Sequence, residues 1–202
     1  MSALTMEMPA DDTTLTLKLP DSLRITDKEF EEFCQRNPDL RIEQDSEGNV
    51  FVMPPVNPAS GNKELRLGSQ LQVWSDEDGT GIAFSSSTVF VLPNGAKRSP
   101  DASWMRLSRW ESLSEAERNR FSHICPEFVI ELRSPSDRLE PLRKKLAEYT
   151  DNGATLGFLL DPLDAKAYAY RPGRPEEVLE RPDSISAEPE MPGLVLDLAK
   201  IW

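Results

Sequence analysis

The chain has few of the residue types from which several kinds of catalytic site are built. Its 202 residues include one histidine and two cysteines. A single histidine, His123, cannot form a histidine-based metal cluster within one chain. Cys34 and Cys125 do not make the disulfide framework of a small secreted domain, and we expect both to be buried thiols. The ten glycines are scattered at turns, so no glycine-rich loop is present to bind a phosphate.

Long apolar runs are also missing. No run approaches the roughly 18 residues that a transmembrane helix needs. The first twelve residues lack the basic region and apolar stretch of a secretory signal, so we expect a cytoplasmic protein without a membrane partner. Residues 1–22 predict a flexible N-terminal lead, in which residues 14–19 alternate and can add an edge strand. Residues 23–202 predict one domain with a full core.

Positive charge is in deficit. The chain has 23 lysines and arginines against 35 acidic residues, for a formal net charge of −12. Such a surplus of acid repels nucleic acid, so a protein of this charge that acts on DNA must concentrate its basic residues at one place. The sequence predicts a positive lip made of Arg98, Arg133, Arg138, Arg143, Lys144 and Lys145.

Hydrophobic periodicity predicts helices and strands that interleave around one sheet. Capping boxes at Thr26–Glu29 and Ser114–Glu117 indicate the starts of two short helices. Further helices are predicted over residues 63–75 and from about residue 138 to 150, with a loop before the first of them at residues 54–61. Strands are predicted over 40–44, 50–53, 82–84, 88–92, 102–105, 128–133, 156–160, 165–170 and 176–180. This pattern favours an α/β domain with mixed strand directions.

Two carboxylates and one lysine in the middle of the chain suggest a catalytic centre. Asp101 follows Ser-Pro, Glu131 lies in the apolar strand Phe128–Arg133, and Lys145 lies on the helix that follows. Carboxylates on neighbouring strands can hold a divalent metal, and a lysine nearby can face the phosphate that the metal polarises. An unpaired charge on such a strand is unfavourable, so Glu131 binds either a metal or a basic side chain, Arg133 or Lys145.

Helical spacing separates the two neighbouring lysines. Lys145 lies roughly 65° from the centre of the apolar stripe formed by Leu142, Leu146 and Tyr149, and Lys144 roughly 165° away. Lys145 can therefore extend toward the sheet, either as a functional group or as a boundary residue whose ammonium stays in water. On the earlier helix, Glu64 is a third metal ligand, a residue that orients a metal ligand, or an acid of the first turn that the helix dipole favours.

Three segments together resemble the Uma-type family of restriction-endonuclease-like proteins, in the PD-(D/E)XK nuclease superfamily. They are Arg98-Ser-Pro-Asp-Ala-Ser-Trp104, Cys125-Pro-Glu-Phe-Val-Ile-Glu-Leu-Arg-Ser-Pro-Ser-Asp137 and Lys145-Leu-Ala-Glu-Tyr149 with the apolar strand after it. The resemblance covers residues 26–202. It implies a restriction-endonuclease-like fold, a central mixed β-sheet flanked by α-helices, with Mg²⁺ bound at the sheet edge and hydrolysis of phosphodiesters.

The resemblance also assigns roles to residues. Asp101 matches the Pro-Asp aspartate and Glu131 the second acid, and the Leu132 carbonyl is expected to help both bind Mg²⁺, for which Mn²⁺ can substitute. Arg133 stands where the superfamily commonly has a lysine; arginine holds its proton too firmly to act as a base, so its expected role is to stabilise charge. Lys145 fits the family's lysine on the following helix, and Glu64 the acid on an early helix.

The sequence therefore predicts a metal-dependent endonuclease that hydrolyses DNA, expected to be duplex, with a homodimer able to place two sites along it. A catalytically silent domain of the same fold, binding nucleic acid or a protein partner, is the main alternative. An enzyme acting on a small phosphorylated substrate is a third hypothesis and is more compatible with the net charge.

Overall fold

The structure is a computed structural model that describes residues 14–202. Its α-helices in this range are α1 (Asp27–Arg36), α2 (Pro58–Asp78), α3 (Leu107–Ser112), α4 (Glu115–Arg118) and α5 (Leu139–Asp151), and a 3₁₀ helix spans Asp21–Leu23. Its strands are β1 (Leu15–Leu17), β2 (Arg41–Gln44), β3 (Val50–Met53), β4 (Gly81–Ser85), β5 (Phe90–Val91), β6 (Lys97–Arg98), β7 (Ala102–Arg106), β8 (Phe128–Leu132), β9 (Leu156–Asp161), β10 (Lys166–Tyr170), β11 (Glu177–Glu180), β12 (Ser184–Ser186) and β13 (Val195–Asp197). None of the helices in this range is long and apolar enough to cross a membrane.

The larger sheet is the centre of the fold and has mixed strand directions. Its strand order is β11-β10-β9-β8-β7-β4. β8 and β9 are parallel, and the other neighbouring pairs are antiparallel. The connection between two parallel strands needs a crossover, which here contains α5. The expected central mixed β-sheet flanked by α-helices is therefore confirmed.

Both faces of β8 are buried, because a helix covers each of them. Phe128 and Ile130 pack in the core that contains residues of α2, whereas Val129 packs in the core that contains residues of α5. Side chains alternate along a strand, so Glu131 lies on the α5 face. Gly157 on β9 lets α5 approach closely, since a Cβ there would lie 2.7 Å from Leu146 Cδ1.

A second sheet, of five strands, was not expected from the sequence. Its order is β1-β3-β2-β6-β5, and all its neighbouring pairs are antiparallel. The predicted single sheet was wrong here because Gln44 of β2 pairs with Lys97 of the short strand β6, which the sequence did not indicate. The ribbon of β12 and β13 was also missed. The second sheet places β2 beside the segment that leads to Asp101.

The starts of helices were predicted correctly where the sequence shows a capping box. Both capping boxes form, with Thr26 and Ser114 as the N-caps of α1 and α4. The predicted loop before α2 was wrong, because α2 already begins at Pro58. Asn57 caps it by accepting a hydrogen bond from Ser60 N–H, and proline is well suited to the first helical position.

Other details of the sequence-based prediction have mixed outcomes. Residues 1–13 of the predicted flexible lead lie outside the described residues. β1 pairs with β3, so the sheet begins before the domain boundary placed at residue 22. Helix α3 was not predicted, and the short helix predicted to start at the Ser114–Glu117 capping box is α4, which ends at Arg118. Both thiols are free, with Cys125 buried and Cys34 half-buried.

Candidate active site

The pairing of β7 with β8 brings the two predicted metal ligands to one place. Ala102 pairs with Ile130 in an antiparallel register, so Asp101, directly before β7, lies next to Glu131. Asp101 Oδ2 accepts a hydrogen bond of 2.8 Å from the Leu132 N–H. Asp101, Glu131 and Leu132 all line one cavity of about 310 Å³. The sequence-based placement of these residues at a common edge therefore agrees with the structure.

Lys145 reaches the same cavity from α5. Its ammonium Nζ lies 2.8 Å from Glu131 Oε1 and 2.8 Å from Glu43 Oε1, and its side chain is only 11% exposed. Lys144, the next residue back, is exposed. Leu146 and Tyr149 are fully buried against the sheet and fix this orientation of the helix. The periodicity thus distinguished the two lysines correctly.

The carboxyl of Glu131 is in an environment that disfavours its charge. It is 3% exposed, and Tyr149 donates a hydrogen bond of 3.1 Å to its Oε1. Burial raises the pKa of Glu131 to about 7, with the negative charges of Asp101 and Glu43 adding to the shift and Lys145 opposing it. The pKa of Lys145 is also raised, because the attraction of Glu131 and Glu43 outweighs the effect of burial. Lys145 therefore carries a proton at neutral pH.

Glu43 and Arg98 are site residues whose pairing the sequence did not indicate. Glu43 on β2 is buried, pairs with Lys145, and lies 3.3 Å from Arg98 Nη1. Its burial opposes ionisation, but Lys145 and Arg98 together lower its pKa. Arg98 also pairs with Glu148 of α5, at 2.6 Å. The result is a buried network of alternating charges behind the cavity.

Arg41 is a second cation of the cavity that the sequence analysis missed. Its Nη2 donates to Asp101 Oδ1 at 2.9 Å and to the Ser99 carbonyl at 2.7 Å. A signal for it does exist, because Arg41 and Glu43 alternate on β2 and therefore project to the same face. Charges at two alternate positions of one short strand indicate that this face meets other charges rather than an apolar core.

Glu64 also lines the cavity, on α2. Since α2 begins at Pro58, its first turn contains no acidic residue. Glu64 is therefore not a first-turn acid that the helix dipole stabilises. Burial raises the pKa of Glu64, and the negative charge of Asp101 adds to the shift. Glu64 and Asp101 are thus close enough to influence each other electrostatically.

Arg133 is not among the residues that line the cavity. Its Nη1 instead pairs with Asp161 Oδ2 at 2.7 Å and with Asp164 Oδ2 at 3.2 Å. The expectation that Arg133 lies beside Asp101 and Glu131 is therefore not met, because two aspartates on and after β9 hold it elsewhere.

The prediction of a positive lip is also wrong, because most of its residues are paired with acids and do not form an exposed basic surface. Arg143 pairs with Glu140 and Glu176, while Arg98 and Lys145 are buried in the charge network. Arg138 and Lys144 are exposed. Acidic partners that are distant in sequence or lie on the same helix neutralise Arg98, Arg143 and Lys145.

The chemistry of the donor set fits a hard divalent cation. Asp101, Glu131 and Glu64 offer carboxylate oxygens, and Mg²⁺ is commonly bound through one or two carboxylates together with water and phosphate oxygens. Within residues 14–202 no group of three or more His, Cys, Asp or Glu side chains is arranged to hold a metal ion. The oxygens of Asp101 are engaged by Arg41 and by Leu132 N–H, so a cation must compete with Arg41 for Asp101.

Comparisons with known proteins agree with this architecture. A crystal structure of "a putative nuclease belonging to DUF820" from Anabaena variabilis has a similar fold, with a TM-score of 0.74. The match covers 88% of this chain and 97% of that one at 22% sequence identity, which shows a shared fold. A search of curated proteins found no match. The model of the Uma2 family, described as "Putative restriction endonuclease", matches residues 27–199. Because that match spans most of the sequence, this chain belongs to the Uma2 family.

Proposed function

We propose that this protein is a Mg²⁺-dependent endonuclease that hydrolyses phosphodiester bonds of DNA. The observation that carries the proposal is that Asp101, Glu131 and Lys145 line one cavity, with Lys145 Nζ 2.8 Å from Glu131 Oε1. Two carboxylates and an ammonium in a confined space are the groups that phosphodiester hydrolysis needs. Membership of the Uma2 family supports the same class of reaction.

In this proposal Asp101 and Glu131, with the Leu132 carbonyl, would hold Mg²⁺, and Mn²⁺ could replace it. The ion supplies Lewis-acid polarisation of the phosphate. Lys145 orients the attacking water and offsets the negative charge that develops on the phosphate. It acts as a charge and not as a base, because its neighbouring carboxylates raise its pKa.

The role expected of Arg133, stabilising negative charge on the phosphate, belongs in this proposal to Arg41. Arg41 lines the cavity beside Asp101, and a guanidinium is a planar donor well matched to phosphate oxygens. Arg41 would bind a phosphate in the same cavity if a cation held the Asp101 carboxylate in its place. A homodimer would place two such cavities along one duplex.

A second candidate function, a catalytically silent domain that binds nucleic acid or a protein, is favoured by a different observation. The two basic side chains that line the cavity are already paired with carboxylates, Arg41 with Asp101 and Lys145 with Glu131. These ion pairs already compensate the charges of Asp101 and Glu131, so the site does not depend on a metal for that compensation.

A cleavage assay distinguishes the two candidates. The full chain is incubated with supercoiled plasmid, linear duplex and single-stranded DNA in Mg²⁺, Mn²⁺ or a chelator. We expect cleavage with either ion, none with the chelator, and loss of cleavage in Asp101→Asn. Asp39→Asn, which alters an exposed aspartate between α1 and β2, is the matched control and should remain active. Equal cleavage by wild type and Asp101→Asn, or no cleavage of any DNA with either ion, would overturn the proposal.

A further inference from the structure

The Lys145 ammonium lies between two carboxylates that come from different sheets. Glu131 is on β8 of the larger sheet and Glu43 on β2 of the smaller one, and each places its Oε1 2.8 Å from Lys145 Nζ. Glu131 lines the cavity, but Glu43 does not. The lysine is therefore held from the cavity side by one acid and from behind by another.

Glu43 is fixed independently of Lys145. Its Oε1 accepts a hydrogen bond of 2.9 Å from Ser99 N–H, and its Oε2 lies 3.3 Å from Arg98 Nη1. Glu148 of α5 in turn holds the other side of Arg98 at 2.6 Å. Glu43 is almost fully buried, so its position is set by these partners and not by solvent. Such a residue can anchor a flexible lysine side chain without moving itself.

A cation bound at Glu131 would weaken the hold of Glu131 on Lys145. Two positive charges at one carboxylate repel each other, and this repulsion is strong where water is largely excluded. A lysine whose only partner was Glu131 would then leave the cavity for solvent, where its ammonium is well hydrated. Glu43 offers Lys145 a second attachment on the side away from the cavity.

We infer that Glu43 is a positioning residue that keeps the Lys145 ammonium at the cavity when a cation engages Glu131. The inference rests on the proposed function, because it assigns a purpose to the second carboxylate only if Glu131 binds an ion during the reaction. Glu43 itself touches neither the cavity nor, in this proposal, the substrate. The smaller sheet thus contributes to the reaction through the geometry of Lys145.

The first test uses crystal structures of the protein without DNA or metal. Glu131→Gln removes the charge of Glu131 much as a bound cation would compensate it. In this variant we expect Lys145 Nζ to remain within hydrogen-bonding distance of Glu43. In the double variant Glu131→Gln/Glu43→Gln we expect it to leave. A Lys145 that abandons Glu43 in the single variant, or stays in place in the double variant, would overturn the inference.

The second test measures the kinetics of DNA cleavage. A displacement of about 1 Å at a catalytic group can cost roughly 100-fold in rate, so Glu43→Gln should lower kcat by about that factor while KM changes little. Glu127→Gln is the matched control, because Glu127 is also a buried carboxylate paired with an arginine, Arg109, but takes no part in the network around Lys145. Equal effects of the two substitutions, or a Glu43→Gln variant altered only in KM, would contradict a positioning role.

The two tests separate the inference from the proposed function. If the wild type cleaves no DNA, the proposed function fails, but the crystal structures still decide whether Glu43 alone holds Lys145. Thermal melting shows whether Glu43→Gln folds, since it removes a buried charge while keeping an oxygen that Ser99 N–H can use. If Glu43→Gln does not fold, the Glu131→Gln structure by itself supports or overturns the inference.

Discussion

Arg41 and Asp101 form an ion pair of 2.9 Å that joins the two sheets of the protein. Arg41 is on β2 of the smaller sheet, and Asp101 is directly before β7 of the larger one. The same guanidinium nitrogen also bonds the Ser99 carbonyl, two residues before Asp101. The smaller sheet therefore fixes the backbone and the carboxylate of the segment that carries the predicted catalytic aspartate.

This pair predicts that Arg41, and not Arg133, stabilises the phosphate during cleavage. Arg41→Ala should lower kcat/KM for DNA in Mg²⁺ by at least about tenfold, since removal of one preorganised donor commonly costs more than that. Arg133→Ala is the control, because Arg133 is a nearby arginine held by Asp161 and Asp164. Steady-state kinetics of both variants provide the measurement. A larger loss in Arg133→Ala would show that the role belongs to Arg133.

The two neighbouring lysines of α5 give a second prediction. Lys145→Ala should reduce Mg²⁺-dependent cleavage by about 100-fold or more, the usual cost of losing a charge aimed at the transition state. Lys144→Ala should retain most activity, because its side chain is exposed on the other side of the helix. Cleavage rates of plasmid DNA compare the two variants. Similar losses in both would mean that α5 contributes only general positive charge.

The parts of the site that the sequence predicted are those with a local signature. The apolar strand Phe128–Leu132 and the stripe of Leu146 and Tyr149 are visible as periodic patterns, and their periods orient Glu131 and Lys145. Strand and helix are consecutive in the chain, so the short distance between Glu131 and Lys145 follows from a βαβ connection. The position of Asp101 followed from the resemblance to a family.

The parts that were missed depend on contacts between distant segments. Arg41 meets Asp101 across 60 residues, and Lys145 meets Glu43 across 102. Periodicity predicts neither contact. Both depend on the pairing that brings β2 beside β6, and β6 has only two residues, too few to show a pattern in the sequence. The predicted position of Arg133 was wrong for the same reason, since its actual partner, Asp161, lies 28 residues further along the chain.

The raised pKa of Glu131 predicts an unusual dependence of stability on pH. Its pKa is about 7 in the folded protein against an ordinary value of 4.5. The folded state then binds the proton more tightly than the unfolded state. Glu131 therefore destabilises the fold above about pH 7, and this penalty is relieved as the pH falls toward about 5.

Thermal melts of the protein without metal, between about pH 5 and pH 8, measure this effect. The melting temperature of wild type minus that of Glu131→Gln should increase as the pH falls through about 7, since protonation relieves the penalty in wild type and glutamine does not titrate. Glu43, whose pKa is lowered, loses its contribution to the stability of the fold only at more acidic pH. Parallel curves for wild type and Glu131→Gln would show that the pKa of Glu131 is ordinary.

The last prediction concerns how an acidic protein binds DNA. With a net charge of −12 and most of the basic side chains around the cavity paired with acids, attraction to a duplex depends on few groups. Binding of short duplex DNA in Ca²⁺, which occupies oxygen sites without supporting cleavage in many nucleases, should be weak and should be strongest at low salt. Each phosphate contact contributes about 0.9 to the slope of log K against log salt, so few contacts predict a shallow slope. Fluorescence anisotropy over a salt series measures this slope, and Arg41→Ala should lower both the affinity and the slope.

If no duplex binds even at low salt, where such contacts are strongest, a DNA-cutting function is wrong. Hydrolysis of small phosphodiesters by the wild type in Mg²⁺ or Mn²⁺ would then identify a small phosphorylated substrate, and its absence would favour the silent domain.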